Sequence, residues 1–335
     1  MLRRGVGLRN EVRAPRLQVL ADGVALPGVM GADVFANNFL AADRFSVRLA
    51  VSAGGLAVVD AQGVRLDVQV ALDGGWTSLV AGEADTVLLD PIGGVVDVEG
   101  RDLSALLVDT RVDETFANRT ASEIAVELGG RHGLEVSADA TGTLVGRYYQ
   151  AEHDRLTVGR SARAVSEWDL LAFLAGQEGF DLFMDGAVLR FGAAAGEAVT
   201  VETGGCMHVS MEHALGMARS VEVTVRSWDQ QGAAVVVGTA AGGGGGRRWK
   251  QGLVRANLAA DAAQRLAERT LADLLRHERT VRLVMPGELG IRPRGTVTLQ
   301  GTGTDWDRDY AVAEVSRHVD VRHGFTQRVR LQGVV

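Results

Sequence analysis

The chain has 335 residues, a formal net charge of −7 and a single cysteine, Cys206. This length is enough for two or three domains, and one cysteine excludes an intrachain disulfide and a cysteine metal cluster. The acidic balance argues against a protein that grips nucleic acid, and no run of 18 apolar residues is present to span a membrane. The N-terminal arginines are not followed by an apolar segment, so we expect no secretory signal and a protein made in a cytoplasm.

Residues 1–98 predict a series of antiparallel strands. In the segments 44–51 and 64–70, apolar and polar side chains alternate, and glycine-containing turns separate the strand-like runs. Each run keeps one polar face, which favours an antiparallel sheet over a parallel sheet that is buried on both faces.

The pattern changes after residue 98, and residues 99–199 predict a small α/β domain. Thr and Glu within residues 120–123 have the spacing of a capping box before a helix, and Ser166 is placed to cap a second helix. Asp-Gly at 185–186 lies between two apolar runs, which predicts a β-hairpin.

A β pattern resumes near residue 200 and is followed by one helix and a final series of strands. The periodic apolar positions within 257–277 predict the helix. Three alternating runs within 294–331, separated by glycine turns, predict an antiparallel meander with one solvated face. The helix and the meander together predict a small barrel or half-barrel.

Two groups of residues have the spacing of metal ligands, but neither predicts a metal site. Asp305, Asp307 and Asp309 begin like a calcium loop, but Tyr310 and Ser316 occupy the positions that require Gly and Glu. We expect a polar turn there.

The second group is Cys206, His208 and His213. No second cluster completes a four-ligand zinc site, and the spacing of five between the histidines places them on opposite faces of a strand.

A glycine-rich loop precedes the helix and has two open interpretations. Five glycines, 242–246, are followed by Arg247, Arg248, Trp249 and Lys250. No Gly-Lys-Ser/Thr follows the glycines, so the loop is not a phosphate-binding loop. It is either a mobile surface loop or an arm that contacts a neighbouring subunit through Trp249.

No set of residues predicts catalysis, so we expect a protein that is not an enzyme. The carboxylate pairs Glu152 with Asp154 and Glu167 with Asp169 resemble glycosidase pairs, but nothing places either pair across a cleft. We expect them to be solvated charges in a loop or at a helix N-terminus.

Several short motifs occur in an order that resembles one family. They are residues 98–103 (VEGRDL), 120–124 (TASEI), 132–134 (HGL), 166–171 (SEWDLL), 179–180 (GF), 262–267 (AAQRLA), 292–297 (RPRGTV) and 310–312 (YAV), with His318. The chain resembles the late control protein D family, the baseplate hub of contractile phage tails, and the N-terminal half of type VI secretion spike (VgrG) proteins.

The resemblance implies an α+β fold that is predominantly antiparallel β, with two tube-like β-barrel domains and an inserted α/β domain. It implies that residues 1–98 and 200–238 form the first barrel, 99–199 the insertion, and 239–335 the second barrel with the helix 257–277. The expected assembly is a homotrimer whose six barrels form a ring like one layer of the sixfold tail tube.

The resemblance also implies partners and a place. These are the tail tube protein, a spike or tip protein on a separate polypeptide, baseplate wedge proteins and a tape measure protein, in a virion baseplate assembled in the host bacterial cytoplasm. No cofactor is expected, and an acidic chain lining a channel would not hold a passing duplex. The alternatives are a tail-associated peptidoglycan- or polysaccharide-degrading enzyme, or the hub of a gene transfer agent, a non-contractile tail or a phage-like injection system.

Overall fold

The computed structural model has a β-rich α+β fold in which most strands are antiparallel, as the sequence predicts. It describes residues 14–51, 63–72, 74–112, 114, 116, 118–142, 144–145, 148–149, 154–155, 166–193, 196, 198–215, 220–229, 234–243, 249–256 and 258–334.

Seven of the described strands form the first barrel. They are β1 (Arg16–Ala21), β2 (Val24–Ala25), β3 (Val29–Asn37), β4 (Arg44–Ala50), β5 (Arg65–Ala71), β6 (Thr77–Asp90) and β7 (Val95–Asp102). Their spatial order is β3-β4-β7-β6-β5-β1, with β2 beyond β1. Val19 of β1 and Val34 of β3 pack into one core with Val47 and Val98, so the sheet curls until its two ends share an interior.

The inserted domain follows β7, and its described residues include three helices. The helices are α1 (Ser104–Asp109), α2 (Ala121–Arg131) and α3 (Glu167–Glu178). The strands are β8 (Arg119–Thr120), β9 (Glu135–Ala138), β10 (Leu144–Val145), β11 (Tyr148–Tyr149), β12 (Asp154–Arg155), β13 (Asp181–Asp185) and β14 (Val188–Gly192).

The local signals predicted in this domain are confirmed. Thr120 and Glu123 form the capping box of α2, and the side chain of Ser166 caps α3. The β13–β14 hairpin turns at Gly186, whose φ of +61° suits glycine.

The chain after the insertion adds two strands and then forms a separate unit of a small sheet and a helix, here called the excursion. The strands are β15 (Ala198–Glu202) and β16 (His208–His213), joined through a single 3-10 turn. The excursion contains β17 (Val221–Asp229), β18 (Ala234–Gly242), β19 (Trp249–Ala256) and α4 (Ala260–Leu275). Its sheet has the order β18-β17-β19, and Ala263 and Ala267 of α4 pack on Val223 and Val225.

The predicted helix 257–277 corresponds to α4, which is shorter at both ends, and Asn257 lies outside the described residues. No helix in the described ranges is both long and apolar enough to pass through a bilayer.

The second barrel is completed by four C-terminal strands. They are β20 (Arg279–Pro286), β21 (Thr296–Gln300), β22 (Asp309–Asp320) and β23 (Gly324–Gly333). Together with β15 and β16, they have the spatial order β16-β20-β23-β22-β21-β15. Val201, Leu283, Val297 and Val315 lie in its core.

These pairings assign residues 200–238 differently from the sequence-based domain boundaries. β15 pairs with β21 and β16 with β20, so both belong with the second barrel, while β17 and β18 belong to the sheet of the excursion. An alternating strand shows which face is buried but does not identify its partner, which explains the difference.

The two barrels share one continuous sheet. Residues 314–320 of β22 pair antiparallel with residues 31–37 of β3, and in the described part of the chain 13 strands are linked in this way. The inserted domain and the excursion therefore project from a framework that is hydrogen-bonded from one barrel to the other.

The barrels also repeat one strand order. The correspondence holds both along the chain and in space. The first-barrel strands β1, β3, β4, β5, β6 and β7 match, in this order, the second-barrel strands β15, β16, β20, β21, β22 and β23. Both long strands carry an irregularity at the equivalent place, between Ala84 and Thr86 in β6 and between Val312 and Glu314 in β22. The two barrels differ in the direction of the strand at one end of this order: β1 runs antiparallel to β5, whereas β15 runs parallel to β21.

Candidate assembly surface

The two barrels meet where β22 pairs with β3, a contact here called the joint. Besides the backbone hydrogen bonds of this pairing, the joint contains polar and apolar side-chain contacts. On one face, the Nδ1 atom of His318 lies 2.8 Å from Oδ1 of Asp33 on the paired strand. Towards the interior, Val319 and Phe325 are buried against Val70 of the first barrel. The joint is therefore a packed interface and not a flexible linker.

Arg294, in the loop before β21 of the second barrel, contacts both the first barrel and the inserted domain. Its Nη1 donates to the carbonyl of Asn37 at 3.1 Å, and its Nη2 donates to the carbonyl of Leu182 at 3.2 Å. Its Cζ lies 4.6 Å from the ring centroid of Phe183, a cation–π distance. Burial lowers the pKa of Arg294. One side chain thus fixes the second barrel to the first barrel and to the insertion.

Two carboxyl groups lie close to this arginine in a largely buried polar cluster. Burial, with a contribution from the charge of Asp102, raises the pKa of Asp43 to about 7. Burial likewise raises the pKa of Asp102 to about 6, although its hydrogen bonds with Ser104 oppose the shift. Oδ1 of Asp43 accepts from the backbone and the side chain of Asn37 at 2.9 and 3.2 Å. The cluster therefore changes charge near neutral pH.

The insertion also contacts the first barrel beside an open cleft. The indole Nε1 of Trp168 donates to the carbonyl of Leu40 at 2.7 Å. The cleft, of about 710 Å³, is lined by these two residues and by Phe39, Arg44 and Arg101 among others. The guanidinium of Arg101 already binds two carboxylates, so its charge is neutralised within the chain.

Of the predicted subunit-contact residues, two can be placed. Arg247 and Arg248 lie outside the described residues. Trp249 and Lys250 are the first residues of β19, at the end of the excursion sheet. Trp249 keeps 46% of its surface exposed, and Nζ of Lys250 lies 3.7 Å from a Glu222 carboxylate oxygen. Their contact with another subunit remains a prediction.

The predicted polar turn around Asp305 is present, and its three carboxylates have separate partners. Asp305 forms an ion pair with Arg279 at 2.6 Å. Asp307 accepts from the backbone N–H groups of its own turn, and Asp309 accepts from Thr298 at 2.5 Å. The three side chains do not converge on one point.

The group around Cys206 is likewise divided. Burial raises the pKa of the Cys206 thiol, which favours its protonated form. His213 lies 3.1 Å from Oε1 of Glu278, whereas His208 is exposed at the other end of β16.

One of the carboxylates expected to be solvated is buried. Glu167 is 4% exposed, and its Oε2 lies 2.5 Å from Nε2 of His132. Asp169 caps the same helix terminus, as predicted for a first-turn acid. Glu152 and the side chain of Asp154 lie outside the described residues.

Sequence reasoning missed a group at the β22–β23 turn. Potential ligand atoms of His318, Asp320 and His323 lie within 4.8 Å of one another. Hydrogen bonds from the backbone and the ring of His323 lower the pKa of Asp320, which also contacts His318 at 3.2 Å. The His-x-Asp-x-x-His spacing was a signal for this group. Its charges satisfy one another, which makes it a stabilised turn.

Comparisons with solved structures give long matches at low sequence identity. The chain matches a tail protein from Neisseria meningitidis with a TM-score of 0.75 and 16% identity, over 96% of this chain and 97% of that one. It matches a 43 kDa tail protein of a Shewanella oneidensis prophage with a TM-score of 0.71 and 16% identity, over 95% and 98%. No family model matches the sequence, and no curated protein does.

A third match extends the likeness to secretion systems. An Escherichia coli component of the type VI secretion system, described as structurally similar to the T4 tail proteins gp27 and gp5, matches with a TM-score of 0.61 and 10% identity, over 93% of this chain and 76% of that one. The chain therefore has the fold of phage tail proteins and of their type VI secretion relatives, in agreement with the resemblance to a baseplate hub family drawn from its motifs.

Proposed function

We propose that this chain is a structural hub of a phage-type tail, and that three copies form a ring of six barrels. The observation that carries the proposal is the pair of barrels with one strand order, fused edge to edge through β3 and β22. Because each chain contributes two equivalent barrels, three chains contribute six barrels, which is the number needed to match a sixfold tube. The fold shared with tail proteins supports the same role.

The ring would join the tail tube on one side to a central spike or tip protein on the other. Baseplate wedge proteins and a tape measure protein are the further partners that we propose, in a virion baseplate assembled in the host cytoplasm. The contacts of Arg294 between domains suit such a role, because a hub must keep its domains fixed while it bears load. This is a structural function and not a catalytic one.

We further propose that the ring lets DNA pass. The net charge of −7 is consistent with a channel that does not bind a phosphate backbone, since such binding rests on clustered Lys and Arg. The segment from Arg247 to Lys250 is the proposed additional contact between subunits, and its described residues Trp249 and Lys250 begin the edge strand β19 of the excursion sheet.

The test is the mass of the purified protein in solution, followed by reconstruction of tail particles that contain it. We expect a trimer by light scattering and a ring of six barrels between tube and spike. A protein that stays monomeric at high concentration, also with tube and spike proteins added, and that is absent from particles would overturn the proposal.

A further inference from the structure

The repeated strand order allows the two barrels to be aligned residue by residue. Matching the irregularity in β6 with the one in β22 places Thr86 at the position of Glu314 and Leu89 at the position of Arg317. Following the ladders through the neighbouring strands then places Met211 of β16 at the position of Val34 of β3.

Side-chain direction agrees with this alignment. Val34 points into the core of the first barrel, and Met211 packs against the core of the second. Val87, two residues before Leu89 on the same face of β6, packs against the first core.

The equivalent strand edges of the two barrels differ in whether another strand pairs with them. The second half of β22 pairs with β3 within the chain. The equivalent half of β6, residues 84–90, has β7 on one side and no paired strand on the other in the described ranges. The equivalent of β3 is β16, which pairs only with β20 among the described strands. Among the described residues, each chain therefore has two unpaired strand edges. The edge of β6 at residues 84–90 corresponds to the part of β22 that pairs with β3, and the edge of β16 corresponds to β3.

The free part of β6 has the character of a surface that becomes covered. Leu88 is 64% exposed, Leu89 is 38% exposed, and Ile92 at the tip of the hairpin is 99% exposed. Exposed edges of soluble proteins are usually protected by charge, by proline or by short length. This half-strand does carry Asp85 and Asp90, but Asp85 is paired with Arg101 of its own chain, and Leu88 and Leu89 remain exposed beside Ile92.

We propose that residues 84–90 of one copy pair antiparallel with β16 of the next copy, repeating between chains the joint that β22 and β3 form within one. The proposal rests on the ring assembly proposed above and specifies its interface. Transferring the internal register places Leu89 opposite Met211 towards the barrel interiors. It places Leu88 opposite Glu212 on the other face.

The experiment is site-directed cross-linking in the full chain, in a Cys206→Ser background. Leu88→Cys with Glu212→Cys puts the two thiols opposite each other across the proposed ladder, within reach of a disulfide. The matched control, Leu88→Cys with Met211→Cys, puts them on opposite faces of the same ladder. Under mild oxidation, we expect the first pair to convert most of the protein into covalent dimers and trimers, and the control to give none.

A second measurement uses a single exposed position. Leu88→Glu places a like charge opposite Glu212 and should weaken association about fivefold at each joint, whereas Leu88→Lys should not weaken it. Equal dissociation of these two variants would overturn the proposed register.

The outcomes separate this inference from the proposed function. A trimeric protein in which both cysteine pairs cross-link equally, or neither does, would overturn the β6–β16 joint and leave the trimeric hub standing. A parent protein that remains monomeric under all conditions would overturn the hub proposal and the joint together.

Discussion

The guanidinium of Arg294 lies over the ring of Phe183, with its Cζ 4.6 Å from the ring centroid. Arg294 lies in the loop before β21 of the second barrel and Phe183 lies on β13 of the inserted domain, and no ladder among the described strands joins β13 to β21. Together with its hydrogen bonds to the carbonyls of Asn37 and Leu182, this contact makes Arg294 a connection between three parts of the chain.

Replacement of Arg294 should therefore destabilise the protein. Arg294→Ala removes two charged hydrogen bonds and leaves two carbonyls without this donor, which should lower the free energy of unfolding by about 2–3 kcal/mol. Arg294 has a φ of +70°, so Arg294→Gly should lose about 1 kcal/mol less than the alanine variant. Urea unfolding measures both, and equal midpoints for the wild type and Arg294→Ala would contradict the expectation.

The buried carboxyl groups should make stability fall as pH rises through neutrality. The pKa of Asp43 is raised from its ordinary value of 3.8 to about 7 and that of Asp102 to about 6, so the folded state binds protons that the unfolded chain has released. The free energy of unfolding should thus decrease from pH 5 to pH 8. Asp43→Asn keeps an acceptor oxygen but no charge, and should be more stable than wild type at pH 8.

Urea midpoints at pH 5 and pH 8 measure this difference. The control, Glu135→Gln, changes an exposed carboxylate on β9 and should keep the wild-type pH dependence. An Asp43→Asn variant that loses stability between pH 5 and pH 8 as steeply as wild type would rule out Asp43 as the titrating group.

Close packing at Gly100 gives a third prediction. A Cβ at this position of β7 would lie 2.2 Å from the carbonyl oxygen of Glu83 and 2.5 Å from Cζ of Phe45. Gly100→Ala should therefore push β6 and β7 apart and cost about 2–3 kcal/mol of unfolding free energy. Gly75→Ala, where no heavy atom lies within 4 Å, should change stability by no more than about 0.5 kcal/mol. Similar urea midpoints for the two variants would contradict the assignment of strain to Gly100.

The proposed subunit contact at Trp249 can be tested against a second exposed tryptophan of the same sheet. Trp249 and Trp228 expose 46% and 52% of their surfaces. If Trp249 docks on a neighbouring copy, Trp249→Ala should weaken trimerisation by about 2 kcal/mol, the size of an interface hot spot, while Trp228→Ala should not. Sedimentation equilibrium measures both. A Trp249→Ala variant that trimerises like wild type, with unchanged circular dichroism, would assign the glycine-rich loop a spacer role.

Features that depend on neighbouring residues could be predicted from the sequence. The capping box at Thr120, the helix cap at Ser166 and the hairpin at Gly186 are determined by a few adjacent residues, and all three were predicted. The interruption of the β pattern near residue 98 and its return near residue 200 were also visible, because alternation is a local property.

Strand partners could not be predicted in the same way. The expected antiparallel sheets do not include the parallel pairs β9–β14, β15–β21 and β17–β19, because strand direction depends on how the chain returns from a distant connection. For the same reason, β15 and β16 seemed to belong to the first barrel when they pair with the second.

The buried charges were also beyond sequence reasoning. Asp43 and Asp102 are 59 residues apart, and neither has a local pattern that separates it from a solvated carboxylate. Only the folded chain brings both near Arg294, where Asp102 is buried and Asp43 is largely shielded from water. The same holds for Glu167, whose partner His132 lies 35 residues earlier.

The contact between β3 and β22 joins two different surfaces, as in a heterologous, or head-to-tail, interface. An association that copies it cannot have a twofold axis, because the surface offered at one end differs from the surface received at the other. Such a series either closes on itself or continues without limit. In the ring proposed above, the angle between the two barrels, set inside each polypeptide by the contacts of Val319, Phe325 and Arg294, would therefore decide how many copies complete the circle.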